Sequence, residues 1–306
     1  MRLKSALRRG VAAAVIAGIV VSSGIPAYAK TWNIADGDIT VKGASDESGN
    51  YNNVKQGERS FEKDEGETVI TGESDKNTVT IDTSEGNVDV TFDDLKIDVS
   101  GKTEVDGSGD GSVDKGKAAV RVEGGGDATI ELDGANELKS GSHNAGLEKN
   151  EHESKGTLTI KDDNDTKGSL TAEGGKDGAG IGGGYESGAG NIEITGGTIN
   201  ASSYDGSGIG SGDSAKGDTD IKIKNSNVTA KGFIDVRYVS HGTGIGSGLS
   251  SSGKTTIDIS GGTVKATGSG DGYKGSAGIG SGSNSTGDTS ITLRDGVTVT
   301  ATGGGN

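Results

Sequence analysis

Residues 207–230 read SGIGSGDSAKGDTDIKIKNSNVTA and contain three short segments separated by turn residues. The first segment is a Gly-Ile-Gly motif. The second alternates strictly, with Ile221 and Ile223 two residues apart, and the third places Val228 and Ala230 in the same way. Alternation at a period of two indicates β-strands that bury one face. This unit therefore predicts three strands joined by Gly, Ser and Asp turns.

The same unit returns along the chain. The isoleucines of successive Gly-Ile-Gly motifs are 28, 36 and 34 residues apart, and an alternating strand and a third strand follow each motif. Three earlier units, which begin near Asn77, Ala119 and Ala145, fit the pattern with the motif altered. Such self-similarity indicates a solenoid in which each repeat stacks on its neighbours. The four motifs occupy residues 180–182, 208–210, 244–246 and 278–280.

Three strands per repeat, with no helical segment between them, argue against a βαβ topology. Like strands would stack about 4.8 Å apart, so that isoleucine packs on isoleucine inside the molecule. We therefore predict an all-β fold, a right-handed single-stranded parallel β-helix with about three strands per coil and six to seven coils. The outward column of the second strands is predicted to be a solvated salt-bridge ladder of Glu131, Thr159, Glu193, Lys222, Asp258 and Thr292.

Residues 1–29 are predicted to be a secretory signal peptide. A basic segment precedes the apolar run Val11–Val21, and Ala27-Tyr28-Ala29 is typical of a cleavage site. The apolar run is too short to span a bilayer. The basic residues are Arg2, Lys4, Arg8 and Arg9.

The mature chain is predicted to have two parts. Residues 30–66 are less regular than the rest and are expected to cap the first coil, with a strand over residues 38–42 and Trp32 as an apolar plug. Such a cap would shield the open first coil from edge-to-edge association. Residues 67–306 are expected to form the β-helix repeats.

The chain is strongly acidic. It has 45 Asp and Glu against 30 Lys and Arg, a formal charge of −15, and removal of the four basic residues of the leader takes this to −19. This charge argues against nucleic acid and anionic membranes as partners, because no basic stripe exists to neutralise phosphates. No segment of the mature chain is apolar enough for a membrane span. The absence of cysteine is compatible with an oxidising exterior, so we expect a secreted or cell-surface protein.

The sequence does not support catalysis. His143 and His241 precede first strands about three coils apart, which separates them by roughly 14 Å and is too far for one metal ion. His152 lies in an acidic loop of its own. No Ser/His/Asp constellation follows from the spacing, and we predict that the chain is not an enzyme.

Four aromatic residues fall in the turns that precede three successive Gly-Ile-Gly motifs. An exposed ring offers a flat apolar face to a pyranose. A neighbouring carboxylate can accept hydrogen bonds from hydroxyls or share a calcium ion with an acidic sugar. The alternative is turn chemistry, in which Asp-Gly pairs form turns and a tyrosine covers the end of a coil. The candidate carbohydrate-binding residues are Tyr204, Asp205, Phe233, Asp235, Tyr238, Asp271 and Tyr273.

Calcium is a second candidate ligand. Residues 106–111 begin like an EF-hand loop, but the twelfth position is Lys117, where a bidentate Glu is required. Residues 162–165 form another acidic turn. The alternative for both segments is a solvated acidic loop, so any calcium binding is expected to be weak. The candidate metal ligands are Asp106, Ser108, Asp110 and Asp114.

The runs Asn191-Ile-Glu-Ile-Thr-Gly-Gly197 and Gly261-Gly-Thr-Val-Lys-Ala-Thr-Gly268 alternate with the Gly-Ile-Gly segments. In this they resemble repeats of secreted Gram-positive surface proteins, and they are similar to a polysaccharide-lyase-like β-helix family classed as carbohydrate-binding. The similarity extends from about Asp38 to the C-terminus. It implies a β-helix that binds plant or cell-wall polysaccharide, with or without calcium. These motifs specify the coil and identify no ligand-binding residue.

The leading hypothesis from sequence is a secreted, non-catalytic carbohydrate-binding protein. The first alternative is a structural or adhesive stalk of a cell-surface protein, in which the repeats only stack and space. The second alternative is a polysaccharide lyase.

Overall fold

A computed structural model describes residues 30–47, 49–64, 66–101, 103–104, 115–164, 166–233, 241–270 and 274–305. Across these residues the fold is all-β, with one short 3-10 turn at Ile34–Asp36. No helix in these ranges is long and apolar enough to cross a membrane. The predicted signal peptide lies outside them.

Within the described ranges there are twenty-six strands. They are β1 Lys30–Asn33, β2 Ile39–Asp46, β3 Gly49–Gln56, β4 Glu62–Asp64, β5 Thr68–Ser74, β6 Val79–Asp82, β7 Val88–Asp98, β8 Thr103–Glu104, β9 Lys115–Gly116, β10 Val120–Gly124, β11 Ala128–Lys139, β12 Leu147–Ser154, β13 Thr157–Lys161, β14 Gly168–Glu173, β15 Ile181–Gly182, β16 Gly190–Ile194, β17 Thr198–Ser203, β18 Ser207–Gly210, β19 Thr219–Lys224, β20 Asn227–Gly232, β21 Thr243–Gly246, β22 Thr255–Ser260, β23 Thr263–Thr267, β24 Ile279–Gly280, β25 Thr289–Arg294 and β26 Thr298–Thr302.

The strands stack as three parallel columns. The first-strand column is β2, β6, β10, β12, β15, β18, β21 and β24, within a ten-stranded sheet. The second-strand column ends in β13, β16, β19, β22 and β25, and the third-strand column ends in β14, β17, β20, β23 and β26. Continuous strands β5, β7 and β11 join these two columns into a fourteen-stranded sheet. The fold is therefore a parallel β-helix, as the repeat pattern predicted.

Isoleucine stacks on isoleucine throughout the interior. In the first-strand column Ile181 pairs with Ile209, Ile209 with Ile245 and Ile245 with Ile279. The side chains of Ile181, Ile209 and Ile245 are fully buried. Each coil thus obtains its core from its neighbours, because a single coil has no second layer against which to bury its apolar face.

The N-terminal region adds both parallel and antiparallel strands to the sheets. Strand β1 pairs in parallel with β5, and β2 pairs in parallel with β6. Strands β3 and β4 then add in antiparallel fashion to the outer edge of β2. Trp32 is 3% exposed, and its Nε1 donates a hydrogen bond to Asp64 Oδ2 at 3.0 Å. The first-strand column accordingly holds eight parallel strands over the described residues, where six to seven coils were predicted.

The last coil differs from the others in its burial. Ile291 and Leu293 occupy the interior positions of β25, opposite Ile257 and Ile259 of β22. They are nevertheless 45% and 50% exposed, whereas Ile257 and Ile259 are fully buried. An interior position is buried only when coils lie on both sides, and no described strand covers the far side of β25.

The predicted outward salt-bridge ladder is shifted at its start. Thr129 pairs with Thr159, and Glu131 pairs with Lys161. Glu131 was placed beside Thr159 in the predicted ladder, and that placement is wrong by two residues. The rest of the column has the predicted order, with Glu193 beside Lys222 and Lys222 beside Asp258. A slip of two residues leaves every side chain on the same face, so alternation alone did not detect it.

Strand β12 carries a charged residue at the position where the four later first strands carry glycine. Glu148 of β12 pairs with Gly182 of β15, and the adjacent Lys149 is fully buried. The Lys149 ammonium donates to the backbone carbonyls of Ser154, at 3.0 Å, and Ala189, at 3.2 Å. Burial lowers the pKa of Lys149 to about 8. Burial raises the pKa of Glu148, against the opposing effect of the Arg121 guanidinium 3.0 Å away.

Candidate functional site

The turns on either side of the first-strand column form one edge of the molecule. Strands β15 and β18 are only two and four residues long, so the turns that flank them lie side by side. The Tyr185 N–H donates to the His143 carbonyl at 2.8 Å, and the Asp213 N–H donates to the Asp177 carbonyl at 2.8 Å. In each bond the acceptor lies in the turn before a first strand, and the donor lies in the turn after the first strand of the next coil. We call this surface the aromatic edge; it comprises His143, Asp177, Tyr185, Tyr204, Asp205, Asp213 and Phe233.

Tyr204 and Phe233 meet on this edge. They follow β17 and begin the turn after β20, on adjacent coils, and their ring centroids are 4.9 Å apart at an interplanar angle of 52°. Tilted pairs of this kind are favoured by the ring quadrupoles. Phe233 is 41% exposed and Tyr204 is partly exposed, so apolar ring surface faces solvent. The structure thus brings together two of the four predicted aromatic residues.

A second aromatic pair lies two coils earlier. The ring of Tyr185 packs on the ring of His143 with centroids 5.0 Å apart, and Tyr185 is 41% exposed. His143 Nδ1 lies 2.9 Å from Asp177 Oδ2. Sequence reasoning missed Tyr185, because it follows its Gly-Ile-Gly motif whereas the other aromatic residues precede theirs. The short length of the motif could have indicated this placement, because a strand of two residues leaves the turns before and after it close together.

Asp205 follows Tyr204 in the chain, is buried, and holds the turns together by hydrogen bonds. It is 9% exposed, and its Oδ1 accepts a hydrogen bond from the His241 N–H at 3.2 Å. Its backbone N–H donates to Lys176 O, and its carbonyl accepts from Leu249 N. Burial raises the pKa of Asp205, and the charge of Asp177 adds to the rise, against the lowering effect of the His241 N–H. Asp205 therefore supplies negative charge from beneath the surface.

Asp213 completes a group of three carboxylates. Burial raises its pKa to about 6, and the charges of Asp177 and Asp205 contribute to the rise against the hydrogen bond from Ser214. Asp177 is itself 6% exposed. Repulsion among the three carboxylates makes the edge attractive to polar hydrogen atoms and cations. Their arrangement does not complete a metal site, because no group of three metal-ligating side chains converges anywhere in the described ranges.

The other predicted site residues cannot be placed. Asp235, Tyr238, Asp271 and Tyr273 of the predicted carbohydrate site lie outside the described residues, as do all four predicted calcium ligands, Asp106, Ser108, Asp110 and Asp114. Within the described part, His143 and His241 contact different carboxylates, Asp177 and Asp205.

Comparison with known proteins bears on the fold alone. The family model of the beta helix repeat matches residues 166–185, 192–213, 221–249 and 257–283. No curated protein and no solved structure matches the chain. The matched segments contain every residue of the aromatic edge except His143, and they support a β-helix repeat protein without naming a ligand.

Proposed function

We propose that the chain is a secreted, non-catalytic carbohydrate-binding protein that recognises extracellular or cell-wall polysaccharide through the aromatic edge. The observation that carries the proposal is the pair of Phe233 and Tyr204 on adjacent coils, with the buried Asp205 next to Tyr204 in the same turn. Tyr185 extends the exposed aromatic surface toward earlier coils.

The edge has the two chemistries that sugar recognition requires. The C–H faces of a pyranose pack against aromatic rings, and sugar hydroxyls donate to carboxylates. Strands stack about 4.8 Å apart in the coil direction, so the rings form a row and not a single pocket. A row suits a polymer, which can contact several coils at once and gain avidity from many weak contacts.

Secretion is the second part of the proposal. The basic, apolar and small-residue segments of residues 1–29 have the order of a signal peptide, and a chain without cysteine folds without disulfides in an oxidising exterior. Expression in a secreting host should release a protein whose first residue is Lys30. N-terminal sequencing of the protein in the medium identifies this first residue. Recovery of the protein in the cell fraction with residues 1–29 still attached contradicts the prediction.

The binding test is a pull-down of residues 30–306 on insoluble and immobilised polysaccharides. We expect selective retention of the wild type and loss of retention in the variant Tyr185→Ala/Phe233→Ala. The control is Phe61→Ala, because Phe61 is 48% exposed and lies on the N-terminal extension, away from the edge. Retention that survives in the double variant removes the edge as the site.

The same experiment separates the alternatives. Calcium is proposed as a helper of binding through residues 106–114, so retention should fall when a chelator replaces calcium. No retention on a broad panel favours a structural or adhesive stalk. Release of unsaturated product from polygalacturonate with calcium would identify a lyase and overturn the non-catalytic assignment.

A further inference from the structure

The last described coil presents three free strand edges. Strands β25 and β26 lie at the two ends of the order of the fourteen-stranded sheet, and β24 lies at one end of the ten-stranded sheet. No described strand pairs with the far sides of these three strands. Free edges carry unpaired N–H and C=O groups, which are able to pair with a strand of another chain.

Apolar side chains lie beside these free edges. Ile291 and Leu293 of β25 are 45% and 50% exposed, although they continue the buried column of Ile257 and Ile259. Removal of such apolar surface from water is the dominant favourable contribution to most protein association. We call this surface the open end; its apolar residues are Ile279, Ile291, Leu293, Val297 and Val299.

The opposite end of the described structure is covered by the chain itself. Trp32, Ile34 and Val54 are at most 3% exposed, and β3 and β4 occupy the outer edge of β2. A copy stacked head to tail would place the open end against this covered surface. The open ends of two copies, in contrast, offer each other apolar surface and free strand edges across a two-fold axis, the commonest symmetry of homodimers.

The free edge of β25 is complementary to itself. The Asp288 carbonyl accepts a hydrogen bond from the Thr255 N–H of the preceding coil. Because the backbone groups of successive residues point to opposite sides of a strand, the N–H and C=O groups of Thr289, Ile291 and Leu293 face away from that coil. An antiparallel pair with a two-fold axis at Ile291 joins these groups: Ile291 lies opposite Ile291, and Thr289 lies opposite Leu293.

Charge is complementary in the same register. Asp288 lies opposite Arg294 of the second copy, and the symmetry forms this pair twice. Both residues are exposed. Asp258 accepts from Nε and Nη2 of Arg294, which leaves other N–H donors of the guanidinium for a second carboxylate. Opposite charges that lie directly across an antiparallel pair favour the pairing.

The net charge of the chain does not oppose this contact. The chain carries a formal charge of −15, but Arg294 is the only charged residue in β25, and β26 has none. Two copies can therefore approach through these strands without bringing rows of carboxylates together.

We infer that the open end binds the open end of a second copy, through antiparallel pairing of β25 with β25 about Ile291. This contact goes beyond the proposed carbohydrate function and shares no residue with the aromatic edge. It is confined to one end of a narrow coil, so we expect a weak dimer that forms at high protein concentration. At the low concentrations of unfolding experiments the chain should be monomeric.

Sedimentation equilibrium of residues 30–306 from roughly 1 μM to 1 mM tests the association. We expect a monomer–dimer equilibrium without larger species, and Ile291→Ser/Leu293→Ser should weaken it at least about tenfold. The control Phe61→Ser removes an apolar side chain that is 48% exposed on the N-terminal extension, and it should dimerise like the wild type. A monomer at every concentration, or growth into longer oligomers, overturns the inference.

Disulfide trapping tests the register, because the chain contains no cysteine of its own. Ile291→Cys should form a covalent dimer under mild oxidation, since the Cα atoms of a hydrogen-bonded antiparallel pair lie about 5.5 Å apart, within the range of a disulfide. Leu293→Cys on the same strand should not, because the two copies of this residue are separated by four residues along the strand, roughly 13 Å. Equal yields of covalent dimer from the two variants overturn the inference.

Charge exchange tests the partner. Asp288→Lys and Arg294→Asp each place like charges opposite each other twice, so each variant alone should dimerise about tenfold more weakly. An equal mixture of the two should recover the wild-type strength, because the introduced lysine then faces the introduced aspartate. Asp36→Lys makes the same charge change at the covered end and should have no effect. Thermal unfolding checks that each variant is folded, and a mixture that associates no more strongly than its components overturns the inference.

Discussion

Glu131 and Lys161 lie opposite each other on neighbouring strands, with Oε2 of the carboxylate 3.1 Å from Nζ of the ammonium. The Glu131 side chain is 10% exposed and that of Lys161 is 30% exposed. Among the ion pairs that the described residues form on the outward face of the second-strand column, Glu131 is more buried than the other acidic partners, Glu193 and Asp258.

Removal of Lys161 should therefore destabilise the fold, because the ammonium offsets the unfavourable burial of the Glu131 carboxylate. We expect Lys161→Met to lower the free energy of unfolding at neutral pH by roughly 1–3 kcal/mol, because a buried charge loses its partner. Burial raises the pKa of Glu131 in the folded chain. The stability that this group contributes is therefore fully present below about pH 4, and it is lost as the pH rises through the pKa of the folded state. This loss should be larger in the variant. Urea unfolding from pH 4 to 8 measures it, and a flat pH profile in Lys161→Met contradicts the prediction.

The matched control is Lys224→Met. Its partner is Glu193, at 2.6 Å, and both side chains are more exposed than those of the Glu131 pair. Exposed ion pairs contribute about 0–1 kcal/mol, so this variant should be close to the wild type.

Lys149 should make the fold more stable in mild alkali. Its pKa is lowered by burial from 10.5 to about 8, so between these values the unfolded chain binds a proton that the folded chain does not. Stability then rises with pH from about 8 to 10.5, by about 3 kcal/mol at most. Lys149→Met should lack this rise. The difference between wild-type and variant unfolding curves isolates the contribution, and Lys155→Met, at an exposed neighbouring lysine, should keep the wild-type slope.

Asp213 should have the opposite effect on the pH dependence of stability, at acidic pH. Its pKa is raised to about 6 from 3.8, so the folded chain holds a proton that the unfolded chain releases between these values. Stability conferred by the protonated group is present below about pH 4 and is lost as pH rises to about 6. Asp213→Asn should abolish that part of the decline, while Asp288→Asn, at an exposed position, should leave it intact. Identical pH profiles for wild type and Asp213→Asn would count against the burial of this charge.

The isoleucine ladder should be strongest in the middle. We expect Ile257→Ala to cost about 2–5 kcal/mol, because the side chain is fully buried between two coils. Ile291→Ala, one coil later and 45% exposed, should cost roughly half of this or less. Chemical unfolding of both variants tests the difference, and equal costs would show that the last coil is covered in solution.

Glycine at position 210 should be required by the backbone. Its φ is +137°, and an added Cβ would lie 2.0 Å from the carbonyl oxygen of Gly246 on the next coil. We expect Gly210→Ala to destabilise the protein by about 3 kcal/mol or more. Gly101→Ala places its Cβ in open space and should change stability by less than about 0.5 kcal/mol. Similar melting temperatures for the two variants would contradict this account.

The position of Glu131 shows that sequence alternation predicts the direction of a side chain but not the register of its strand. Its outward direction was predictable, because side chains alternate across a strand. Its partner was not, because pairing with Thr159 or with Lys161 leaves the same residues outside. The choice between registers depends on the length of turns in two coils at once. Lys149 is a further example, since its position in the sequence of β12 gives no sign that its ammonium reaches two buried carbonyls.

The amino-acid sequence alone determined the coil: the period-two alternation of Ile221 and Ile223 and the recurrence of Gly-Ile-Gly specify which residues face inward and that like strands stack. These are local properties, and repetition makes them unambiguous. Only the tertiary structure decided what the surface offers. Tyr185 meets His143, and Tyr204 meets Phe233, because turns far apart in the sequence pack against each other. Such contacts depend on how separate segments meet in space, which no repeat of the chain encodes.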